Sequence, residues 1–243
     1  CNERRSLKVY IDIYHSVTRS NMSIKGFFHG FLGVMIALCM SLMLPNLPAH
    51  AFIQSDYQKL LVTNECNKCD LSGADLSNKD LYGSALNGAN LSRANLSGAL
   101  LNDARLTGAN LDNANLSETV MMGTELSGAN LSGANLSNAD LYNSLLSKTN
   151  LTSANLSSAD LTSAIASDAN FSNAIVTRAK LKGIVLSRSI LSNADFTNSS
   201  MRNSRLSSAN IQGTKFLGAD LSNSVMPDST TYNGDVSRFG ASN

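Results

Sequence analysis

The sequence has 243 residues, 43% of them hydrophobic, no Trp, and 19 basic side chains against 18 acidic ones. That balance excludes the strongly basic surface of a general nucleic-acid binder, and the length admits one sizeable domain. The three histidines, His15, His29 and His50, all precede residue 52, so the rest of the chain is closed to imidazole chemistry.

Taken in chain order, residues 1–21 lack a targeting n-region and read as a miscalled upstream extension, with Met22 the better start. The "RRSLK" at residues 4–8 is only loosely a twin-arginine motif and lies far from the apolar run. Residues 22–51 have the three parts of a secretory signal peptide: Lys25, an apolar run from Phe27 to Leu44, and small residues Ala49 and Ala51 around His50. The competing reading is a retained membrane anchor, which Gly26, His29, Gly30 and Gly33 weaken. Membrane contact is expected only through this segment, if it stays uncleaved. Residues 52–65 follow, with Tyr57, Leu60 and Leu61 at helical spacing, and predict a short helix capping an open solenoid end.

From residue 66 to 226 the chain repeats a five-residue phrase, as in "NLSGANLSNADL" at 130–141. In an α-helix a leucine at every fifth position wanders around the axis, and in a flat strand it alternates between faces. A period of five therefore requires a chain that bends in every unit and stacks short extended pieces into a solenoid. The register runs without insertion from Leu71 to Met226, giving 32 central positions, all apolar and 23 of them Leu. Leu71, Leu76, Leu131, Leu136, Phe196 and Phe216 belong to this expected core ladder. Two residues earlier, 19 of the 32 are Ala, so small size is selected there. Lys79 and Ile184 break that rule. Lys79 is expected to escape to solvent through a distortion of the first coil, and Ile184 to widen its coil. The other three positions are mostly Ser, Asn, Asp, Gly and Thr, which suit turns facing water. Residues 227–243 form a C-terminal tail.

"GADLS" at 73–77, "GANLS" at 88–92 and "SADLT" at 158–162 resemble the A(D/N)Lxx unit of the pentapeptide-repeat family over about two thirds of the chain. The resemblance implies an all-β fold, a right-handed quadrilateral β-helix with four units per coil. Here that means about eight coils with the short N-terminal capping helix. Residues twenty apart then stack, which pairs Phe196 with Phe216 and makes a ladder of Asn90, Asn110, Asn130, Asn150 and Asn170. The leader, the paired cysteines entering the first repeat and the ending "MPDSTTYNG" at 226–234 resemble exported cyanobacterial and chloroplast-lumen members. That implies the thylakoid lumen or periplasm.

Cys66 and Cys69 remain after the leader. Export favours a disulfide between them; reduced packing residues and a redox-active pair are the other readings. No second C-x-x-C and no downstream His complete a metal site, and no cofactor is expected. Ser-His-Asp and Cys-His catalysis cannot be assembled in the repeat, and a filled solenoid has no cleft, so no enzyme is expected.

Function then belongs to the surface. Read in steps of twenty, one outward column runs Ala85, Arg105, Glu125, Leu145, Ile165, Val185, Arg205, Val225. Leu145, Ile165 and Val185 make an apolar strip, a candidate patch for an unidentified protein partner, with Arg178, Lys180, Lys182 and Arg188 as its expected rim. A β-favouring surface strip without a partner is the competing reading. Residues 66–145 carry 8 acidic and 4 basic side chains, and residues 146–226 carry 4 and 8, a polarity suited to self-assembly through the ends. The expected role is an exported, non-enzymatic interaction or scaffold protein. The alternative is a DNA mimic that protects topoisomerases or inhibits gyrase, which the zero net charge of residues 66–226 disfavours.

Overall fold

The structure, a computed structural model, describes residues 53–232, 234–237 and 240–242; the readings of 1–21 and 22–51 lie outside them. Residues 48–243 form one compact unit.

Every repeat makes the same bend. Ala74 N–H donates to the Leu71 carbonyl at 3.0 Å, and the same bond recurs from Ala89 to Leu86 and from Ala134 to Leu131. The second residue after each central one, from Lys68 to Asn223, has φ between 55° and 71°, while the residue before it does not. This is the pattern of a type II turn, and it explains the Gly and Asn at that position. Lys68, Arg93, Glu118, Lys148, Arg178 and Arg188 adopt the same left-handed conformation despite their Cβ atoms, because ladder bonds on both sides fix the bend. At Gly98 and Gly133 a Cβ would lie 2.5 Å from Oδ1 of Asn78 and Asn113 in the preceding coil, so glycine there makes room for a stacked amide.

Between turns, parallel bridges join each residue to the one twenty further on, as in Asp70↔Asn90 and Asn130↔Asn150. The bonds alternate in direction: Leu71 N–H donates to Asn90 O at 2.8 Å and Asn90 N–H to Cys69 O at 2.8 Å. Four outward columns result. Face 1 begins with Glu65 and Ala85, face 2 with Asp70 and Asn90, face 3 with Asp75 and Asn95, and face 4 with Asp80 and Leu100.

All central side chains from Leu71 to Met226 are at most 2% exposed, which fills the interior with a continuous hydrocarbon column. Phe196 and Phe216 stack with centroids 5.6 Å apart. Lys79 is exposed, but the first coil is not broken around it. Asp80 keeps its bridge to Leu100, and the Lys79 turn bond is only stretched, to 3.3 Å. This coil has none before it, so the ammonium leaves past the open edge without deforming the ladder. Ile184 is fully buried, and its two backbone bonds, 3.1 Å to Leu181 O and 2.9 Å from Arg205 N, are ordinary, so the expected widening is absent. In its own inward column Ile184 lies between Ala164 and Ser204, both small, which gives the larger side chain its room.

Helix α1 (Gln54–Thr63) lies against the first coil. Leu60 is buried and Tyr57 packs on the core, but Leu61 faces solvent. The Asp56 carboxylate accepts from Asp70 N–H at 2.8 Å, and Tyr57 OH donates to Asp75 O at 3.2 Å. At the other end the tail folds back: Ser242 bridges to Lys215, Thr231 pairs antiparallel with Val225, and Val236 is buried.

Candidate interaction face

Faces 2 and 3 show what the usual Asn or Asp does. Asn130 Oδ1 accepts from Ser132 N–H at 3.3 Å, closing a local turn, while Asn130 Nδ2 donates to Asn110 Oδ1 at 3.1 Å in the coil before. Bonds of this kind link Asp70, Asn90, Asn110, Asn130 and Asn150 on face 2. A second ladder on face 3 links Asp75, Asn95, Asn115, Asn135 and Asn155. Ile190 and Ile175 follow Asn170 and Asn155 in these two columns.

The aspartates in such turns, Asp75, Asp160, Asp195 and Asp220, are held below the ordinary carboxylate range. At Asp75 and Asp220 the largest cause is the side-chain hydrogen bond from Ser77 or Ser222. At Asp160 and Asp195 burial, the largest single influence, pushes upward, and the hydrogen bonds from Thr162 or Thr197, with the Lys180 bond and charge at Asp160 and the Lys215 charge at Asp195, outweigh it. A carboxylate depressed on folding contributes stability above its unfolded value of about 3.9, and that contribution is lost as pH falls through the folded value. The midpoint of denaturant unfolding is therefore expected to fall below about pH 4, and less steeply in Asp160→Asn. An acid limb unchanged by that substitution contradicts this assignment.

Face 1 departs from the pattern. Leu145 bridges to Ile165 and Ile165 to Val185, so the three are stacked neighbours, 37% and 41% exposed at Leu145 and Ile165 and half-buried at Val185. None of them can accept from the N–H of Ser147, Ser167 or Ser187, so face 1 forgoes three turn-closing bonds that faces 2 and 3 make. Each such bond is worth about 0.5–1.5 kcal/mol net. Glu125 and Arg205 bracket the strip in the same column, both exposed, and neither is in an ion pair with a described residue.

The expected rim is only partly there. Lys182 and Arg188 occupy the two corners of face 1 beside Val185, but Arg178 sits at the corner between faces 3 and 4, and Lys180 is on face 4, 3.3 Å from Asp160. Arg188 forms a two-pronged pair with Asp168 at 2.8 and 2.7 Å, which lowers the Asp168 carboxyl. Cys66 and Cys69 are joined by a disulfide with Cα atoms 5.2 Å apart, both buried in the first turn beside Asp56. Among the described residues no group of three or more His, Cys, Asp or Glu is placed to hold a metal, and no helix is long and apolar enough to cross a membrane.

One surface feature escaped the sequence reading. A shallow groove of about 320 Å³ runs along the corner between faces 4 and 1, lined by Tyr82, Asn102, Asp103, Met122, Gly123, Tyr142 and Asn143. The Tyr82 hydroxyl bonds to Asp103, which raises its pKa. Reading the residue after each central leucine in steps of twenty would have found the Tyr82, Asn102, Met122, Tyr142 column.

The family model for pentapeptide repeats matches in 8 copies, spanning residues 65–103, 99–138, 129–165, 167–203 and 189–228. No curated protein matches the sequence at a significant level. Similar solved structures include HetL, a pentapeptide repeat protein involved in heterocyst differentiation regulation from the cyanobacterium Nostoc sp. strain PCC 7120. It is 24% identical, over 84% of this chain and 100% of that one, with a TM-score of 0.37. QnrB1, a plasmid-mediated fluoroquinolone resistance protein, is 18% identical over 63% of this chain and 77% of its own, TM-score 0.43. A pentapeptide repeat protein of the Arabidopsis thaliana thylakoid lumen is 30% identical over 51% and 70%, TM-score 0.29. With the family model matched over more than half its length, and the five-residue bend and twenty-residue stacking throughout, the chain belongs to the pentapeptide-repeat family, whose fold is the right-handed quadrilateral β-helix.

Proposed function

We propose that this chain is an exported, non-enzymatic interaction or scaffold protein that presents face 1 to a protein partner. The repeat forms about eight coils, with α1 as the cap of the first. The observation that carries the reading is the Leu145, Ile165, Val185 strip: it forgoes turn-closing hydrogen bonds and leaves branched apolar side chains in water, a cost that contact with a partner offsets. Export is supported by the signal-peptide pattern of residues 22–51 and by a buried Cys66–Cys69 bridge, which persists in an oxidising compartment. The thylakoid lumen or periplasm fits both. A DNA mimic is disfavoured by the 12 acidic and 12 basic side chains of residues 66–226.

The test is capture from a lumenal or periplasmic extract with the parent protein beside a double variant, Ile165→Lys with Val185→Lys. A protein retained by the parent and released by the folded variant supports the reading. Identical captures, or none, refute face 1 as the contact surface for another protein.

A further inference from the structure

We propose that face 1 is self-complementary and that its occupant is a second, antiparallel copy of this chain, related by a two-fold axis crossing the face at Ile165. This rests on the reading of face 1 as an interaction surface and names its partner. The column is ordered about Ile165 in a way that periodicity alone does not require. One coil to either side lie Leu145 and Val185, and two coils to either side lie Glu125 and Arg205. An axis lying in the plane of the face and perpendicular to the solenoid turns the copies antiparallel while keeping each lateral position. Ile165 then meets Ile165, Leu145 meets Val185, and Glu125 meets Arg205 twice.

The alternative two-fold axis, running along the solenoid, would set Glu125 against Glu125 and Arg205 against Arg205. Charge therefore selects the antiparallel arrangement. Glu125 and Arg205, exposed and without ion pairs among the described residues, are the groups this arrangement uses. The wider asymmetry agrees where the copies overlap, since residues 105–145, with 4 acidic side chains and 1 basic, would lie along residues 185–225 of the other copy, with 4 basic and 2 acidic.

The corners keep the same pairing. At the corner between faces 4 and 1, exposed Tyr142 comes opposite exposed Lys182 of the second copy, within reach of a cation–π contact. At the other corner the Lys148, Asp168 and Arg188 of both copies gather near the axis. Two carboxylates among four cations make it the least favourable edge. Both ends of the solenoid already carry chain, α1 at one and the Val236 segment at the other, which leaves the sides free for contact. A single face is a small interface, below the roughly 1,200 Å² of total burial that marks stable complexes, so the dimer is weak and concentration-dependent.

The experiment is sedimentation velocity on residues 48–243, the compact unit with its own closed core, at about 10–500 µM, the range of weak association. Four variants are run beside the parent, with circular dichroism to show that each is folded. The parent is expected to pass from monomer to dimer. Ile165→Lys, which sets like charges on the axis, should abolish association, and Ile175→Lys on face 3 should leave it unchanged. Glu125→Arg should weaken it about ten-fold or more, and Glu125→Arg with Arg205→Glu should restore it, because the swap rebuilds both pairs only in this register. A parent that stays monomeric, or a swap that fails to restore the dimer, overturns the proposal. If the parent is monomeric yet loses a captured protein on Ile165→Lys with Val185→Lys, the self-association fails while the reading of face 1 stands. If neither dimer nor differential capture occurs, both fail.

Discussion

Leu136→Ala lowers the unfolding free energy by about 2–5 kcal/mol, as truncation of a fully buried leucine does. Leu136 is 0% exposed and lies midway along the hydrocarbon column, so the methyl groups lost leave a hole that rigid ladder bonds on both sides cannot close. The adjacent outward residue is the control. Asn135 donates to Asn115 at 3.3 Å and accepts from Ser137 N–H and Asn155 at 3.2 Å each, while staying half-buried at the water boundary. Its replacement by Ala should cost about 0.5–1.5 kcal/mol, since water takes over part of what is lost. Denaturant melts of the two variants measure the contrast. A Leu136→Ala cost below about 0.5 kcal/mol contradicts the inward assignment.

Ala166→Leu is the opposite perturbation and should cost about 1–3 kcal/mol through overpacking. Every other central position holds a larger side chain, and Ala166 is fully buried; the bulky inward residues near it in register are Phe171, the next central residue, and Ile184, in the unit that stacks on its own. The added isobutyl group has nowhere to go unless one of them shrinks. Combining Ala166→Leu with Phe171→Leu or with Ile184→Ala should therefore be less damaging than the sum of the single changes. The pair that relieves the strain identifies which neighbour fills the space. An Ala166→Leu protein as stable as the parent would mean that an open void lies beside residue 166.

The fold was legible in the sequence because one physical constraint dominates it. A period of five excludes helix and flat sheet, and an unbroken column of central leucines leaves only a filled solenoid. The ladder from Asn90 to Asn170 was expected from the twenty-residue step that the family resemblance implies, and side-chain amide bonds carry it as far as Asn150; the second ladder, from Asp75 to Asn155, was equally available to that step. Less visible was how strictly the bend is imposed. Lys68, Glu118 and Arg178 adopt left-handed dihedrals that their residue types disfavour, so the repeat overrides local preference. Lys79 and Ile184 were read as disruptions because a position was judged by its own column. Their accommodation depends on what lies in adjacent coils, an open edge in one case and the small Ala164 and Ser204 in the other.

The surface was less legible than the core. Leu145, Ile165 and Val185 stood out because they replace Asn or Asp in a column otherwise polar or charged between Arg105 and Arg205. Tyr82, Met122 and Tyr142 break an equally plain rule, since the position after the central residue is Ser or Thr in 21 of 32 units, but their stacking shows only when that position is followed in steps of twenty. The two groups lie on adjoining parts of the surface, at face 1 and at its corner with face 4. The Arg178 rim failed for a related reason: proximity in sequence is not proximity on a solenoid, where five residues turn a corner and twenty return to the same face.

The most direct test of face 1 as the contact surface is site-specific photo-cross-linking in the native compartment, with a photoreactive residue at position 165 and, in parallel, at position 175 on face 3. The account predicts a discrete adduct, to a second copy or to another protein, from position 165 and none from position 175. Equal labelling from both positions, or no adduct from position 165, would contradict it.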